Sequence, residues 1–235
     1  MPTLHIESEE SDIHSRVIMP VDPNNAHYIA TKFLEDFRVV NKKNGNLAYS
    51  GKYKGVDVTI FPSGMGIASM GLYSHELFID YDVDKIIRIG TCESYKEELK
   101  TNDILLVDSS YSLTSFDTES GKEDLEIINS STELNGIITS TALLQELKLS
   151  VGRVHTTDAF YTEEESFSRY TDIGCLAVDM ETYSLLYNAK KFMKKATSLL
   201  VVNDSLVNHE IIDTESREKK LDEMIVLALE SIIKN

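Results

Sequence analysis

Four short segments of the chain place small or polar residues directly after runs of apolar residues. They are Met19–Ala26, Arg88–Glu93, Val178–Glu181 and Val202–Ser205, and together they supply carboxylates, a guanidinium, hydroxyls and amides. In open α/β sheets, ligands bind just outside the carboxyl ends of the strands. If the apolar runs are strands, these segments lie where a small molecule would bind.

Arg88 stands inside the apolar run Lys85–Gly90, and a guanidinium buried there needs a partner. Two kinds of partner fit, namely a carboxylate of the protein and a bound anion. Gly90 and Thr91 then contribute small side chains, backbone N–H groups and a hydroxyl. That combination suits a phosphate group and equally suits a tight turn, so both interpretations stay open.

Three carboxylates also follow apolar runs. Asp179 and Glu181 flank Met180 where a strand gives way to a helix. Carboxylates near a helix N-terminus are stabilising without any ligand. Asp204 follows Leu199–Val202, where it could simply cap a turn or helix. Each carboxylate therefore has a structural explanation beside a functional one.

Sequence motifs of several other chemistries are missing. The chain contains no G-x-S-x-G elbow, no G-x-G-x-x-G fingerprint and no P-loop lysine. Its two cysteines form no C-x-x-C pair, and its six histidines lack the spacing of metal ligands. We therefore expect neither a metal ion nor a cofactor, and no disulfide.

The composition narrows the class of protein. With 235 residues, 42% of them hydrophobic, the chain fits one large α/β domain spanning residues 1–235. A net charge of −16 argues against nucleic acid and acidic membranes as partners. No apolar run approaches the roughly 18 residues of a membrane span, and the acidic first residues do not resemble a signal peptide. We expect a cytoplasmic protein.

Predicted strands and helices alternate along the chain. The predicted strands are Val17–Pro20, Tyr49–Tyr53, Val56–Phe61, Lys85–Gly90, Ile104–Asp108, Val151–Thr156, Leu176–Val178 and Ser198–Val202. The predicted helices are Asn25–Phe37, Ile67–Tyr81 and a C-terminal helix with an apolar stripe of Leu221, Met224, Ile225, Ala228, Leu229 and Ile232. This alternation predicts a three-layer α/β/α sandwich.

Taken together and in order, these segments resemble the trimeric and hexameric purine nucleoside phosphorylases of bacteria over nearly the whole chain. The matching segments and residues are Ser63–Ile67, Lys85–Cys92, Asp179–Glu181, Asp204, Arg217 and His5. The resemblance implies the nucleoside phosphorylase fold, in which the central sheet is mixed and partly barrel-like. It also implies a pentosyltransferase of purine salvage that splits purine nucleosides with phosphate into base and ribose 1-phosphate. The implied assembly is a homohexamer, a trimer of dimers.

The resemblance assigns roles to individual residues. Asp204 matches the acid that protonates the departing base, and Arg217 matches an arginine that sets its protonation. Glu181 matches the carboxylate that holds the ribose hydroxyls, and Met180 packs against the sugar. His5 matches a histidine that contacts the 5′-hydroxyl in a neighbouring subunit's site. The other implied substrate-binding positions are Met65, Thr91, Cys92, Phe160, Tyr161, Val178, Asp179 and Asn203.

The base half of the site favours a purine. The stretch Val151–Tyr161 lacks the Gln/Arg pair by which the related uridine phosphorylases recognise a pyrimidine, and Phe160 and Tyr161 offer rings for stacking. Asn203 stands where the resemblance predicts a serine, so the base preference can differ from that of the family. The sequence does not decide between a 6-oxo and a 6-amino purine.

The phosphate half departs from the family pattern. The corresponding positions are Arg88, Gly90, Thr91, Val21, Asn25 and Asn44, of which the first three match. Val21 replaces a glycine, while Asn25 and Asn44 replace arginines. In the family, the arginine at the Asn44 position comes from a neighbouring subunit. Since each guanidinium contact is worth about 1.5–3 kcal/mol, phosphate should bind about two to four orders of magnitude more weakly. Glu93 adds a negative charge where the family prefers glycine.

Three functions therefore stay open. The first is a phosphorylase in which Lys42 or Lys43 substitutes for a missing arginine. The second is a nucleosidase in which water replaces phosphate, positioned by Asn25, Asn44 or Asp22. The third is a catalytically weak protein that binds nucleosides or bases.

Overall fold

The computed structural model describes residues 2–116, 127–161, 167–207 and 214–234, and for residues 214–218 it describes the backbone alone. The elements in these ranges are, in chain order, β1 (Arg16–Met19), α1 (Pro23–Phe33), β2 (Glu35–Asn41), β3 (Ala48–Tyr53), β4 (Val56–Ile60), α2 (Gly66–Ile79), β5 (Lys85–Ser94), β6 (Ile104–Tyr111), β7 (Ile128–Asn129), α3 (Thr132–Leu144), β8 (Leu149–Thr156), α4 (Phe167–Asp172), β9 (Cys175–Asp179), α5 (Thr182–Lys191), β10 (Lys195–Ser205) and α6 (Thr214–Ile232). Short 3₁₀ turns occupy Glu10–Asp12 and Lys43–Gly45.

The central sheet closes on itself through strand β5. In the order β10-β6-β8-β9-β5, the last strand pairs again with the first, so five strands form a barrel. The strands β1, β4, β3 and β2 continue the sheet outward from β5. β5 can serve both parts because Lys85–Arg88 pair with β1, whereas Glu93 and Ser94 pair with β9. The predicted mixed, partly barrel-like sheet is confirmed.

Helices cover the sheet on both faces. Side chains alternate along β1, so Ile18 belongs to a core cluster with α1, α3 and α6, whereas Val17 belongs to a cluster with α2 and α5. Ile87 and Ile86 of β5 divide in the same way. A third cluster, which includes Leu105 and Val154, comes from the barrel strands. The predicted three-layer arrangement is therefore confirmed.

The C-terminal helix packs as its pattern predicts. Leu221 is partly buried, and the other five stripe residues are buried against the first core cluster. The hairpin predicted through Lys54 and Gly55 is also present, as β3 and β4. Within the described ranges, no helix is both long and apolar enough to cross a membrane.

The helix predicted over Asn25–Phe37 is wrong at its C-terminal end. α1 stops at Phe33, because Leu34 is extended (φ −97°, ψ 142°) and Asp36 has a positive φ of 49°. The chain then enters β2, which pairs antiparallel with β3. Five of the seven β2 residues are exposed, so this strand lacks the apolar pattern that would have revealed it.

Two barrel strands extend further than predicted. β5 continues through Ser94 and β10 through Ser205, although their apolar runs end near Gly90 and Val202. The polar residues after the apolar runs therefore lie within the carboxyl ends of the strands. The strand backbone, with a register shift in β10 between Val202 and Asp204, fixes their positions.

Candidate active site

A cleft of about 560 Å³ opens at the carboxyl ends of β5, β8, β9 and β10. Many of the residues singled out in the sequence line this cleft. They are Val21, Met65, Arg88, Thr91, Cys92, Phe160, Tyr161, Val178, Asp179, Met180, Glu181 and Asn203. The fold thus brings together segments that are far apart in the chain.

Arg88 is held at the cleft by two carboxylates. Its side chain is 1% exposed, its Nη2 donates to Oε2 of Glu181, and its Nη1 lies 3.2 Å from Oδ2 of Asp179. The buried guanidinium therefore has the protein partners that it needs. Nε nevertheless has no hydrogen-bond acceptor within the described ranges, and Nη1 has none beyond its ion pair with Asp179, so part of the fork can still donate to a ligand that reaches it.

Gly90 lies directly against this guanidinium. A Cβ atom at Gly90 would be 2.9 Å from Nη2 and 3.0 Å from Cζ of Arg88. Because both carboxylates fix the guanidinium, it cannot move aside without losing an ion pair. Glycine is required at this position by the close approach, which is a role in positioning Arg88.

Asp179 has its acceptor capacity filled by the protein. Oδ1 accepts from the Thr156 hydroxyl at 2.6 Å, and Oδ2 accepts from the backbone N and the hydroxyl of Thr182 at 3.0 and 2.5 Å. Arg88 is a further partner of Oδ2. An ionised carboxylate offers about four lone-pair positions, so little remains for a substrate. Asp179 acts here as a positioning residue.

The Glu181 carboxylate still has hydrogen-bond acceptor positions that the protein does not fill. Oε1 accepts from the backbone N of Gly66 at 2.8 Å, and Oε2 accepts from Arg88. Gly66 begins α2, so the glycine-rich turn Ser63–Gly66 orients Glu181 toward the cleft. With two donors on a carboxylate that lines the cleft, Glu181 can accept further hydrogen bonds from hydroxyl groups.

The predicted phosphate positions are only partly assembled. Val21 and the exposed Thr91 line the cleft with Arg88. Asn25 does not line the cleft, because its side-chain amide donates to Oδ2 of Asp22 at 2.7 Å. Asn44 is exposed, has a positive φ of 56°, and is not among the residues lining the cleft.

An aromatic cluster closes the other side of the cleft. His155 stacks on Tyr170 with ring centroids 3.6 Å apart, and its Nδ1 shares a 2.9 Å hydrogen bond with the Tyr95 hydroxyl. Phe167 packs on Tyr95 with centroids 5.2 Å apart. Burial lowers the pKa of His155 to about 4, so the imidazole is neutral at pH 7. This aromatic cluster gives one wall of the cleft a flat, apolar character.

A family model described as Phosphorylase superfamily matches residues 15–232. The chain belongs to the phosphorylase superfamily. A protein named Purine nucleoside phosphorylase DeoD-type from Mycoplasma genitalium is 39% identical over 231 residues, which make up 97% of each chain. Proteins with the same name from Anoxybacillus flavithermus and from Buchnera aphidicola subsp. Acyrthosiphon pisum are 35% and 36% identical, with 99% of this chain covered and 99% and 100% of theirs.

In this superfamily member, the predicted acid Asp204 is not among the residues that line the cleft, although the preceding residue Asn203 is. Asp204 is exposed near the end of β10, and its Oδ1 accepts from the backbone N of Ser205 at 2.7 Å. Arg217 lies in α6, but its side chain is outside the described part of the chain. The proposed partnership between these two residues therefore stays a prediction.

His5 is anchored on its own subunit of this phosphorylase-superfamily protein. Its Nδ1 lies 2.6 Å from Oε1 of Glu76 on α2, and its side chain is 30% exposed. His5 is not among the residues that line the cleft. Its predicted contact with a neighbouring subunit's substrate is untested.

Several cleft residues were absent from the candidates drawn from the sequence. They are Glu93, Tyr95, His155, Thr157, Ala159, Phe167, Tyr170 and Leu206. Tyr95, His155 and Tyr170 come from β5, β8 and α4. No short spacing links them, so a sequence pattern could not have identified the cluster. Glu93 did carry a signal, as a charge where the family prefers glycine.

Proposed function

We propose that this protein cleaves the N-glycosidic bond of purine nucleosides with phosphate, releasing the base and ribose 1-phosphate. The full-length similarity to proteins named purine nucleoside phosphorylase supports this activity. The observation that carries the proposal is the buried Arg88, which lies at the cleft, is paired with Glu181 and Asp179, and has no acceptor for Nε among the described residues. This arrangement can bind a sugar through Glu181 and an anion through Arg88 next to each other.

The charges around Arg88 suit the chemistry of glycosidic cleavage. The sugar acquires positive charge as the bond to the base lengthens. Arg88, Asp179 and Glu181 together carry one net negative charge, which stabilises a developing cation in a cleft that partly excludes water. The electron pair of the C1′–N9 bond leaves with the base, and a phosphate oxygen forms the new bond to C1′.

Glu181 is the residue that holds the ribose. Its remaining lone pairs accept hydrogen bonds from the two neighbouring sugar hydroxyls, while Gly66 and Arg88 fix its orientation. Asp179 keeps Arg88 in place and does not need to touch the sugar. Met180 lies between these two carboxylates in the chain and contributes an apolar surface to the cleft.

Phosphate is held by the free donors of Arg88 and by Thr91. Nε of Arg88 has no acceptor among the described residues, Nη1 has only its ion pair with Asp179, and Thr91 lines the same cleft. Charge-assisted hydrogen bonds of this kind are the strong contacts of phosphate sites. Because Val21 and Asn25 replace two further contacts, phosphate binds more weakly than in a site with several arginines.

Asp204 supplies the proton to the departing base. Its exposed carboxyl group, in the residue next to Asn203 of the cleft wall, can take a proton from solvent and pass it to a ring nitrogen of the purine. The base then leaves as a neutral molecule. Phe160 and Tyr161 line the cleft and provide rings beside the base.

The alternative of a nucleosidase is not favoured. It requires Asn25, Asn44 or Asp22 to position water, yet Asn25 and Asp22 are hydrogen-bonded to each other and none of the three lines the cleft. A protein that only binds nucleosides is not favoured by the relatives, which are named as phosphorylases.

The deciding experiment incubates the protein with inosine and with adenosine, each with and without phosphate. We expect base release that requires phosphate and is accompanied by ribose 1-phosphate. Free ribose formed at the same rate without phosphate would make the protein a hydrolase. Ligand-induced thermal stabilisation without turnover would make it a binder.

The assembly and the cellular location are further parts of the proposal. The expected homo-oligomer follows from the resemblance to the trimeric and hexameric purine nucleoside phosphorylases. Sedimentation velocity should show a hexamer, and a monomer alone would contradict the role proposed for His5. A cytoplasmic location stays a prediction from the sequence.

A further inference from the structure

Two chains of buried hydroxyl groups lead from barrel strands to Asp179. In the first, the hydroxyl of Ser198 on β10 lies 2.9 Å from that of Thr182, which donates to Oδ2 of Asp179 at 2.5 Å. In the second, the hydroxyl of Ser110 on β6 lies 2.8 Å from that of Thr156, which donates to Oδ1 of Asp179 at 2.6 Å. All five residues are at most 4% exposed. Groups of the protein therefore hold both oxygens of this carboxylate.

Each chain of hydroxyl groups has one direction. A carboxylate only accepts and a hydroxyl has one hydrogen, so the Thr182 hydroxyl donates to Asp179 and accepts from Ser198. The Thr156 hydroxyl likewise donates to Asp179 and accepts from Ser110. Hydrogen bonds that follow one another in this way polarise and strengthen each other. The hydroxyl donors therefore set the position of the Asp179 carboxylate.

The strand register places these hydroxyl groups beside the ion pair of the cleft. Ser198 is opposite Arg88 in the pairing of β10 with β5, and Thr156 is opposite Asp179 in the pairing of β8 with β9. Neighbouring strands lie about 4.8 Å apart, so both hydroxyl groups are close to the charged side chains. Thr182, the first residue of α5, completes the arrangement.

The position of Asp179 in turn sets the orientation of Arg88. An arginine side chain that is held at one nitrogen can still turn about that contact, and a second contact prevents the turn. Nη2 donates to Glu181, and Nη1 has its second contact at Oδ2 of Asp179, 3.2 Å away. The same Oδ2 accepts from the hydroxyl and from the backbone N of Thr182. Thr182 therefore fixes the oxygen on which the orientation of the guanidinium depends.

We propose that Thr182, supported by Ser198, is a positioning residue for phosphate, because through Asp179 it sets the orientation in which Arg88 meets the anion. The inference rests on the proposed function, in which phosphate binds at Arg88. Neither Thr182 nor Ser198 is among the residues that line the cleft, so both act through other side chains. Loss of the Thr182 hydroxyl weakens phosphate binding, whereas Glu181 keeps its separate bond to the backbone N of Gly66 and still holds the nucleoside.

The test measures KM for phosphate and KM for the nucleoside separately, with whichever of inosine and adenosine the wild type cleaves. In Thr182→Val, KM for phosphate should rise about 10-fold, as expected for one lost hydrogen bond, and KM for the nucleoside should not change. Thr182→Ser keeps the hydroxyl and should restore the wild-type value. Thr197→Val is the matched control, because Thr197 is equally buried and its hydroxyl donates to Oδ1 of Asn135 at 2.6 Å. It should lower the free energy of unfolding and leave both KM values unchanged.

A double variant keeps the test valid if Thr182→Val folds poorly. Thr182→Val leaves the Ser198 hydroxyl without its acceptor in a buried position, which is destabilising. Adding Ser198→Ala removes both partners of that bond, so the double variant should be more stable than Thr182→Val. Its KM for phosphate should stay as high as in Thr182→Val, because the donor to Asp179 is still missing.

The outcomes separate this inference from the proposed function. A raised KM for phosphate alone, with rescue by serine, would support the role of Thr182. Phosphate-dependent turnover with an unchanged KM for phosphate in the folded double variant, or an equal rise in both KM values, would overturn it and leave phosphorolysis standing. Base release by the wild type without phosphate would contradict the proposed function and the inference together.

Calorimetric titration with inorganic phosphate tests the same step without turnover. Weaker binding to the double variant than to the wild type and Thr197→Val would support the positioning role. Equal affinities in the three proteins would overturn it.

Discussion

Nη2 of Arg88 donates a hydrogen bond to Oε2 of Glu181 in a cleft where the two side chains are 1% and 5% exposed. Asp179 flanks the same guanidinium from another side. The two carboxylates differ in what else they do. Asp179 also accepts from Thr156 and Thr182, whereas Glu181 has acceptor positions left for a substrate. Their roles should therefore be separable by experiment.

Replacing Asp179 should affect stability more than replacing Glu181. Asp179→Asn puts an amide NH₂ against hydroxyl and N–H donors in a buried site, so we expect a loss of about 3 kcal/mol in the free energy of unfolding. In Glu181→Gln the NH₂ replaces one of two oxygens that each accept one bond from Gly66 or Arg88, so fewer donors lose their acceptor than around Asp179 and the loss should be smaller. Its kcat/KM should nevertheless fall about 10- to 150-fold with weaker ribose contacts. Urea denaturation and steady-state kinetics on both variants test this, and the reverse order of stabilities would contradict it.

Asp204→Asn should remove most of the activity and leave the fold intact. Loss of a general acid lowers kcat by about 100- to 10,000-fold. Asp204 is exposed and accepts from the Ser205 backbone N, which an asparagine oxygen can also do. Turnover of adenosine and the thermal shift on adding adenosine would be measured together, with exposed Asp57→Asn as the control. Wild-type turnover in Asp204→Asn would remove this residue as the acid.

The elements predicted correctly from the sequence are those buried on both sides. β1 and β5 form continuous apolar runs because helices cover both faces, and α6 shows a clear stripe. β2 has mostly exposed residues and is held by pairing with β3, so its own sequence carries little information. A local sequence pattern thus predicts which elements are buried. It does not predict which distant segments pair with each other in the sheet.

In the candidate site too, local patterns predicted some residues, whereas contacts between distant segments could not be predicted. Arg88 and Glu181 were found because polar residues at the ends of apolar runs are unusual. The partnership of Asn25 with Asp22 could have been read from helix-capping chemistry, since Asp22 is followed by Pro23 at the first position of α1. The contact between Tyr95 and His155 spans 60 residues and depends on the barrel, so no spacing predicts it.

Restoring the phosphate site should strengthen phosphate binding. Val21→Gly combined with Asn25→Arg removes a side chain from the cleft wall and adds a long guanidinium side chain in the first turn of α1, and we expect KM for phosphate to fall about 10- to 150-fold. The backbone N of Asn25 still donates to Asp22, so the helix cap survives. Val21→Gly with Asn25→Gln is the matched control without the charge. An unchanged KM in a folded Arg variant would show that the defect lies elsewhere.

His155 should make stability depend on pH in a defined window. Burial lowers its pKa in the folded state to about 4, against 6.5 for an ordinary histidine. Above pH 6.5 both states are neutral, and stability is unaffected. As the pH falls from 6.5 toward 4, the unfolded chain binds a proton that the folded chain does not, so the free energy of unfolding decreases.

His155→Gln should reduce this decrease, because the amide cannot titrate while it can still bond the Tyr95 hydroxyl. Denaturant unfolding at pH 7.0 and pH 4.5 measures the difference for each protein. Tyr95→Phe removes the hydrogen bond but leaves the imidazole against Tyr170, so it should keep most of the wild-type difference. Equal pH dependence in His155→Gln and wild type would mean that other groups govern acid stability. A reduced dependence in His155→Gln alone would assign it to the buried imidazole, since the two variants differ in whether that ring remains.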